Sequence, residues 1–134
     1  MTRFFITIAI FIWASLVASC TPSEEEGAEA AAGRFLSAFY SMDYDTARGL
    51  CSESLSSRIG YAAEQFESVP LSIQKKIRLA SDSTSFTITS IRVSEAEDSS
   101  FVEYVLKVPD LEKPVSKIII LICDEDRWIV ADIQ

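Results

Sequence analysis

The sequence contains no histidine, and this absence excludes more chemistry than any other feature of its composition. Histidine is the side chain that most often serves as a general base or as a zinc ligand in proteins. Serine–histidine triads and histidine-bound metal centres are therefore excluded. Cys-x-x-Cys pairs, Gly-x-Ser-x-Gly and glycine-rich phosphate loops are missing as well. The chain thus lacks the common signatures of hydrolases, zinc enzymes and nucleotide-binding enzymes.

Positive charge is also scarce, with 12 Lys and Arg against 20 Asp and Glu and a net charge of −8 over 134 residues. Nucleic-acid binding needs a basic surface that displaces counterions from phosphates, so we expect no nucleic-acid partner. The acidic clusters lack the oxygen spacing and central glycine of a calcium loop, so we predict no metal and no cofactor. The length accommodates one domain.

The N-terminal residues have the features of an export signal. Arg3 precedes an apolar run from Phe4 to Ala18, which is shorter than a bilayer span and typical of a signal-peptide core. The run ends in Val17-Ala18-Ser19-Cys20, which resembles the lipobox of bacterial lipoproteins. The resemblance implies that residues 1–19 are removed and that Cys20 is lipidated, with fatty acids such as palmitate. The alternatives are an uncleaved anchor helix and a secretory signal with a chance cysteine.

A lipobox implies a location in the bacterial cell envelope, lipid-anchored in the outer rather than the inner membrane, with the domain in the periplasm. Residues 20–27 then form an acidic tether that contains Pro22 and the run Glu24-Glu25-Glu26. The segment from Ser23 to Glu26 also resembles the export signal of surface-exposed outer-membrane lipoproteins. A tether that is simply soluble is the alternative.

Residues 28–134 are predicted to form one α+β domain, because helical periodicity in the first half gives way to alternation in the second. A first helix is expected over residues 26–42, and Asp43 is expected to cap the next. That second helix is predicted to include Leu50 and Cys51 and to fade near residues 57–60. A third helical stretch, residues 61–80, contains Val69-Pro70, where we expect a kink or a break.

The second half predicts about four antiparallel strands. The apolar phase slips at Ser90-Ile91 in the first strand, which predicts a β-bulge. The third strand is almost continuously apolar, so we expect it to be central and covered on both faces. The acidic residues 124–126 are expected to form a solvated hairpin turn. The predicted strands cover residues 86–93, 102–108, 115–123 and 127–133.

Two segments suggest a family. Residues 35–47 (FLSAFYSMDYDTA) resemble the opening motif of nuclear transport factor 2-like domains, and residues 127–130 (RWIV) resemble their last strand. More narrowly, the chain is similar to small bacterial lipoproteins of this fold that are grouped as a domain of unknown function. The resemblance implies a curved four-stranded antiparallel sheet wrapped around the helices, a cystatin-like cone that can enclose a pocket.

The resemblance also implies that some domains of this fold are enzymes. Ketosteroid isomerases and scytalone dehydratases of this fold transfer protons inside the cone with Asp, Tyr or His. Tyr40, Tyr104 and Asp132 are the weak catalytic candidates here, and Asp132 is expected to point inward because it shares the alternation phase of Trp128 and Val130. The alternative assigns the tyrosines to the core and Asp132 to solvent.

We therefore expect a binding or accessory module, with a small proton-transfer enzyme and a structural envelope element as alternatives. Its expected partners are the membrane, through the lipid on Cys20, and a small apolar ligand, a peptide or an envelope protein.

Two cysteines remain once Cys20 is assigned to the lipid. Cys51 and Cys123 are an even number in an oxidising compartment, which favours a disulfide between them. The alternative is two buried thiols that act as small apolar groups.

Overall fold

The computed structural model describes residues 24–96 and 98–134, which form four helices followed by one four-stranded antiparallel sheet in the order β1-β2-β3-β4. This confirms the α+β prediction. The predictions for residues 1–19 and for lipidated Cys20 lie outside the described residues. The elements are α1 (Glu24–Tyr40), α2 (Tyr44–Arg48), α3 (Glu53–Ser68), α4 (Leu71–Asp82), β1 (Ser85–Val93), β2 (Ser99–Lys107), β3 (Val115–Asp124) and β4 (Arg127–Ile133).

The first helix begins within the segment that was expected to be a tether. Glu24 to Gly27 form the first turn of α1, where negative charge is favourable because it complements the helix dipole. Gly27 allows the helix to lie against β4, since a Cβ there would be 3.2 Å from Cδ1 of Trp128. The domain therefore starts four residues after Cys20.

The end of α1 is a Schellman turn with an unusual residue at its centre. The amide of Met42 donates to the carbonyl of Phe39 (3.2 Å), and the amide of Asp43 donates to that of Ala38 (2.9 Å). Met42 has a φ of 63°, the left-handed conformation that glycine normally supplies at this position. The turn thus places a strained methionine between α1 and α2.

Asp43 caps α2 as predicted. Its carboxylate accepts hydrogen bonds from the Thr46 amide (3.4 Å) and from the Thr46 hydroxyl (2.7 Å). A cap of this kind stabilises a helix by about 1 kcal/mol.

The predicted continuation of the second helix through Cys51 is wrong. The chain leaves the helix after Arg48 and pairs with the edge of β4, where the Val130 amide donates to the Leu50 carbonyl (3.1 Å) and the Ser52 amide donates to the Val130 carbonyl (2.8 Å). Ser52 then caps α3 by accepting from the Leu55 amide. Unpaired backbone groups at the edge of a sheet are strong partners, and here they outweigh local helix propensity.

The break at Val69-Pro70 is confirmed, because α3 ends at Ser68 and α4 begins at Leu71. Val69 is extended, as expected for a residue that precedes proline. The third predicted stretch therefore falls in two separate helices. The expected fading of helix near residues 57–60 is wrong, because α3 runs through them.

The core lies between α1 and one face of the sheet. α1 contacts all four strands. Side chains from the helix and from three strands meet there without solvent contact, so this face of the sheet is filled. The large side chains that are fully buried are Phe35, Leu36, Val102, Tyr104, Ile119, Leu121 and Val130.

The sheet has two irregularities. The register of β1 and β2 shifts between Ile88 and Ser90. This confirms the predicted bulge, which lies one residue before the expected position. A second shift, between Ile120 and Leu121, adds an extra residue to β4 and was not predicted. The β3–β4 turn has positive φ at Glu125 and Asp126, as in a type I′ hairpin.

The prediction that β3 is covered on both faces is wrong. Ile119 and Leu121 are buried against the helices, whereas Ile122 on the other face is 37% exposed. Ile118 and Ile120 on that face are partly exposed. The reason is that α1 packs on one face of the sheet only, so continuous apolar sequence in β3 does not imply two covering layers.

The strained turn predicts a stabilising substitution. Met42→Gly should raise the free energy of unfolding by about 1 kcal/mol, because glycine adopts a left-handed conformation without the Cβ clash. Urea titration followed by circular dichroism measures the change. Ser41→Gly, at a neighbouring position without positive φ, is the control and should not stabilise. A Met42→Gly protein that is less stable than the parent would contradict the assignment.

Candidate functional site

Two of the three catalytic candidates meet in the core. Tyr40 extends from the last turn of α1, Tyr104 extends from the middle of β2, and their hydroxyl oxygens are 2.8 Å apart. The two rings meet edge to face at a centroid distance of 6.2 Å. Phe39 and Phe86 pack against Tyr40, which completes an aromatic cluster. Each hydroxyl therefore has the other as its protein partner.

Electrostatics keep both phenols neutral. Burial raises the pKa of Tyr40, and burial together with the hydrogen bond to Tyr40 raises the pKa of Tyr104 further. A raised pKa favours the neutral form, so the folded state is stabilised below pH 10 and loses this contribution at higher pH. Neither tyrosine is available as a base at neutral pH.

The third candidate, Asp132, lies elsewhere, and the prediction that it points inward is wrong. The register places Val130 opposite Leu121 and Ile133 opposite Ile119, on the helix-facing side. Asp132 is opposite Ile120, on the other side, because Ala131 is the extra residue of the bulge.

At that position the carboxylate of Asp132 forms an ion pair with the guanidinium of Arg58 at 2.7 Å. The hydrogen bond from Arg58 lowers the pKa of Asp132, and the backbone of Ile133 contributes in the same direction. A carboxylate with a lowered pKa is a poor general base. The three candidates thus do not form a catalytic group.

The predicted disulfide between Cys51 and Cys123 is not formed, because Cys51 carries a free thiol. Cys51 pairs with Val130 at the outer edge of β4, whereas Cys123 is in β3, on the far side of β4. Two strand spacings amount to about 10 Å, and a disulfide requires Cα atoms within about 7 Å. Burial raises the pKa of the Cys51 thiol, so this cysteine is not activated as a nucleophile.

No group of three or more Asp, Glu, Cys or His side chains in residues 24–96 and 98–134 is arranged to hold a metal ion. None of the helices in that same part of the chain is long and apolar enough to cross a membrane.

A cleft lies where the α1–α2 turn meets α3 and α4, and it is here named the turn cleft. Its volume is about 380 Å³, and Met42 and Tyr44 also line an adjoining depression of about 250 Å³ that reaches Tyr40. The cleft is lined by Met42, Asp43, Tyr44, Asp45, Ala63, Phe66, Glu67, Gln74 and Arg78.

The chemistry of the turn cleft is mixed. Three acidic residues (Asp43, Asp45 and Glu67) and two aromatic residues (Tyr44 and Phe66) line it. The guanidinium of Arg78 lies 5.3 Å from the centroid of the Phe66 ring. This is the geometry of a cation–π contact. The site can therefore accept cationic and aromatic groups, but it does not enclose an apolar molecule.

Sequence reasoning missed the turn cleft because its walls are far apart in the chain. The opening motif predicted the α1–α2 turn, but nothing in the pattern placed Phe66 and Arg78 beside it. Their approach depends on the direction in which α4 turns back after Pro70.

No model of a known protein family matches the chain, and no curated protein matches it either. The class that the geometry defines is an α+β domain with helices on one face of a four-stranded antiparallel meander. A nuclear transport factor 2-like identity stays a prediction.

The tyrosine pair predicts an asymmetric mutational cycle. Tyr40→Phe should cost about 1–3 kcal/mol, because it leaves the fully buried Tyr104 hydroxyl without a partner. Tyr104→Phe should cost less, since Tyr40 is partly exposed and its hydroxyl can bond to water instead. Chemical denaturation of the single and double variants measures the coupling. Strictly additive effects would contradict a hydrogen bond between the two groups.

Proposed function

We propose that this protein is a bacterial lipoprotein of the cell envelope whose single domain, of nuclear transport factor 2-like type, binds a partner and does not catalyse a reaction. The membrane part of the proposal rests on the order of Arg3, the apolar run, the small residues and Cys20. The lipid chains on Cys20 hold the protein to the outer membrane, because two or more chains on one residue give stable anchoring.

The observation that carries the non-catalytic part is the separation of the candidate groups. Tyr40 and Tyr104 bond to each other in the core, and Asp132 bonds to Arg58 on the other side of the sheet. Proton-transfer catalysis needs an acid and a base that both reach the reacting atoms of one substrate. The isomerase or dehydratase alternative therefore has no pair of groups to use.

Binding is assigned to the turn cleft, since the helix-facing side of the sheet is filled by side chains. The cleft is open and carries the carboxylates of Asp45 and Glu67 beside Tyr44 and Phe66. Aromatic rings flanked by carboxylates suit a basic peptide segment better than a small apolar molecule. The partner class we favour is thus a peptide or an envelope protein that presents a basic side chain.

The anchor is tested by metabolic labelling. Cys20→Ala should abolish the incorporation of labelled fatty acid and should leave the signal segment uncleaved, because the lipid-accepting thiol is gone. Cys51→Ala is the matched control and should keep full labelling. Label retained in the Cys20→Ala protein would contradict the proposal.

The binding site is tested by photo-crosslinking in membranes. A benzoylphenylalanine that replaces Ala63, in the wall of the turn cleft, should form an adduct with a protein partner. The same group in place of the exposed Ala62, one position along α3, is the control and should form several-fold less of it. Asp45→Lys should also reduce the adduct at position 63. Equal adducts from the two positions, or none, would contradict binding at the cleft.

A further inference from the structure

The helix α4 presents an outward face that no described element covers. It has no buried residue, and Leu71 and Leu79 are 73% and 67% exposed. The helix is held from its other side, where the Ser81 hydroxyl donates to the carbonyl of Tyr40. Ile77 and Ala80 line the depression on that side.

Residues on the outward face alternate between leucine and lysine. Leu71, Lys75 and Leu79 are spaced by four residues and so lie in one row along the helix. Lys76 is next to this row. We name Leu71, Lys75, Lys76 and Leu79 the outward stripe.

The charge of α4 is opposite to that of the chain. The helix carries Lys75, Lys76 and Arg78 against a single acid, Asp82, while the whole sequence has a net charge of −8. Arg78 is turned to the Phe66 ring, which leaves the two lysines to face solvent. A basic helix with exposed leucines has the composition of helices that lie in the surface of anionic bilayers.

A second copy of the chain fits this face poorly. A two-fold symmetric dimer through α4 would bring the outward stripe against its own copy. Lys75 and Lys76 of both copies would then be close together, and like charges at an interface oppose association.

The position of the domain keeps α4 within reach of lipid. α1 begins at Glu24, four residues after Cys20, and four extended residues span at most about 14 Å. Anchoring at that distance makes a contact between domain and bilayer an intramolecular event, so a weak interaction is sufficient.

We propose that the outward stripe of α4 binds the surface of an anionic phospholipid bilayer, with Leu71 and Leu79 in the headgroup region and Lys75 and Lys76 against lipid phosphates. The inference rests on the proposed function for the lipid anchor at Cys20. α4 packs at the C-terminal end of α1, so this contact lays the long axis of α1 along the bilayer instead of upright on it.

The test uses the lipidated protein in vesicles of phosphatidylcholine alone or of equal parts phosphatidylcholine and phosphatidylglycerol. A benzoylphenylalanine replaces Leu79, and the control places it at Leu111, an exposed leucine (51%) in the β2–β3 loop. The expected result is a lipid adduct at position 79 that depends on phosphatidylglycerol and exceeds the adduct at position 111 several-fold.

Charge reversal supplies the second arm. Lys75→Glu with Lys76→Glu should reduce the lipid adduct by more than about 25-fold, because each lysine near an anionic surface contributes about fivefold and the reversed charges add repulsion. The matched control, Lys107→Glu with Lys113→Glu, reverses two exposed lysines elsewhere and should change little. Circular dichroism establishes whether each variant is folded. If the reversal variant is unfolded, Lys75→Gln with Lys76→Gln replaces it, and a reduction of about 25-fold is expected.

Three results would overturn the inference: equal lipid adducts at positions 79 and 111, an adduct unaffected by the reversal at positions 75 and 76, or an adduct at position 79 to protein instead of lipid. A protein adduct would indicate a second copy or another protein on this face. Failure of the anchor is distinguishable, because mass spectrometry before reconstitution shows whether Cys20 carries lipid. An unmodified Cys20 would contradict the proposed function, and this inference with it.

Discussion

The packing of α1 against one face of the sheet is the interaction on which the rest of the structure depends. Phe35 and Leu36 are buried against strand residues such as Ile119 and Leu121, and α1 is in contact with all four strands. A meander of four strands needs one covered apolar face to be stable, and α1 supplies most of that cover. The Tyr40–Tyr104 hydrogen bond adds one directional contact at the end of the helix, which fixes where the α1–α2 turn lies.

A filled interior restricts where function can be. An enzyme of cone-like architecture keeps part of the cone open, at the cost of apolar contacts in the core. Here the volume between helix and sheet is occupied by side chains. The hydroxyls of Tyr40 and Tyr104 bond to each other, whereas the buried Ser100 hydroxyl has no partner within the described residues. A partner therefore has to bind at the surface, on residues that lie outside the core but whose positions the core determines. The turn cleft is such a surface, because Tyr44 and Phe66 reach it from elements that are packed elsewhere.

Local chemistry was predictable from the sequence, and long-range backbone pairing was not. The Asp43 cap, the break at Pro70 and the bulge in β1 each depend on neighbours within a few residues, so the pattern revealed them. Cys51 and Asp132 were misplaced for one shared reason, which is the irregular pairing of β4. The segment after α2 pairs with the edge of β4. The extra residue Ala131 places Asp132 on the opposite face of the sheet from the one that regular alternation predicts. A bulge cannot be read from the alternation of a strand when each residue around it can lie on either face of the sheet.

The distribution of charge links the two proposed surfaces. Arg78 and Gln74 of α4 line the turn cleft, while Lys75 and Lys76 of the same helix face outward. One helix therefore separates an acidic cleft from a basic stripe. If the stripe lies on the bilayer, as we propose, anionic lipid repels the acidic remainder of the domain and attracts α4, which gives the domain one preferred orientation. The mouth of the cleft is then at the margin of the membrane, so a basic segment that enters it has to approach along the bilayer. This geometry favours a partner that is itself associated with the membrane over one that diffuses freely.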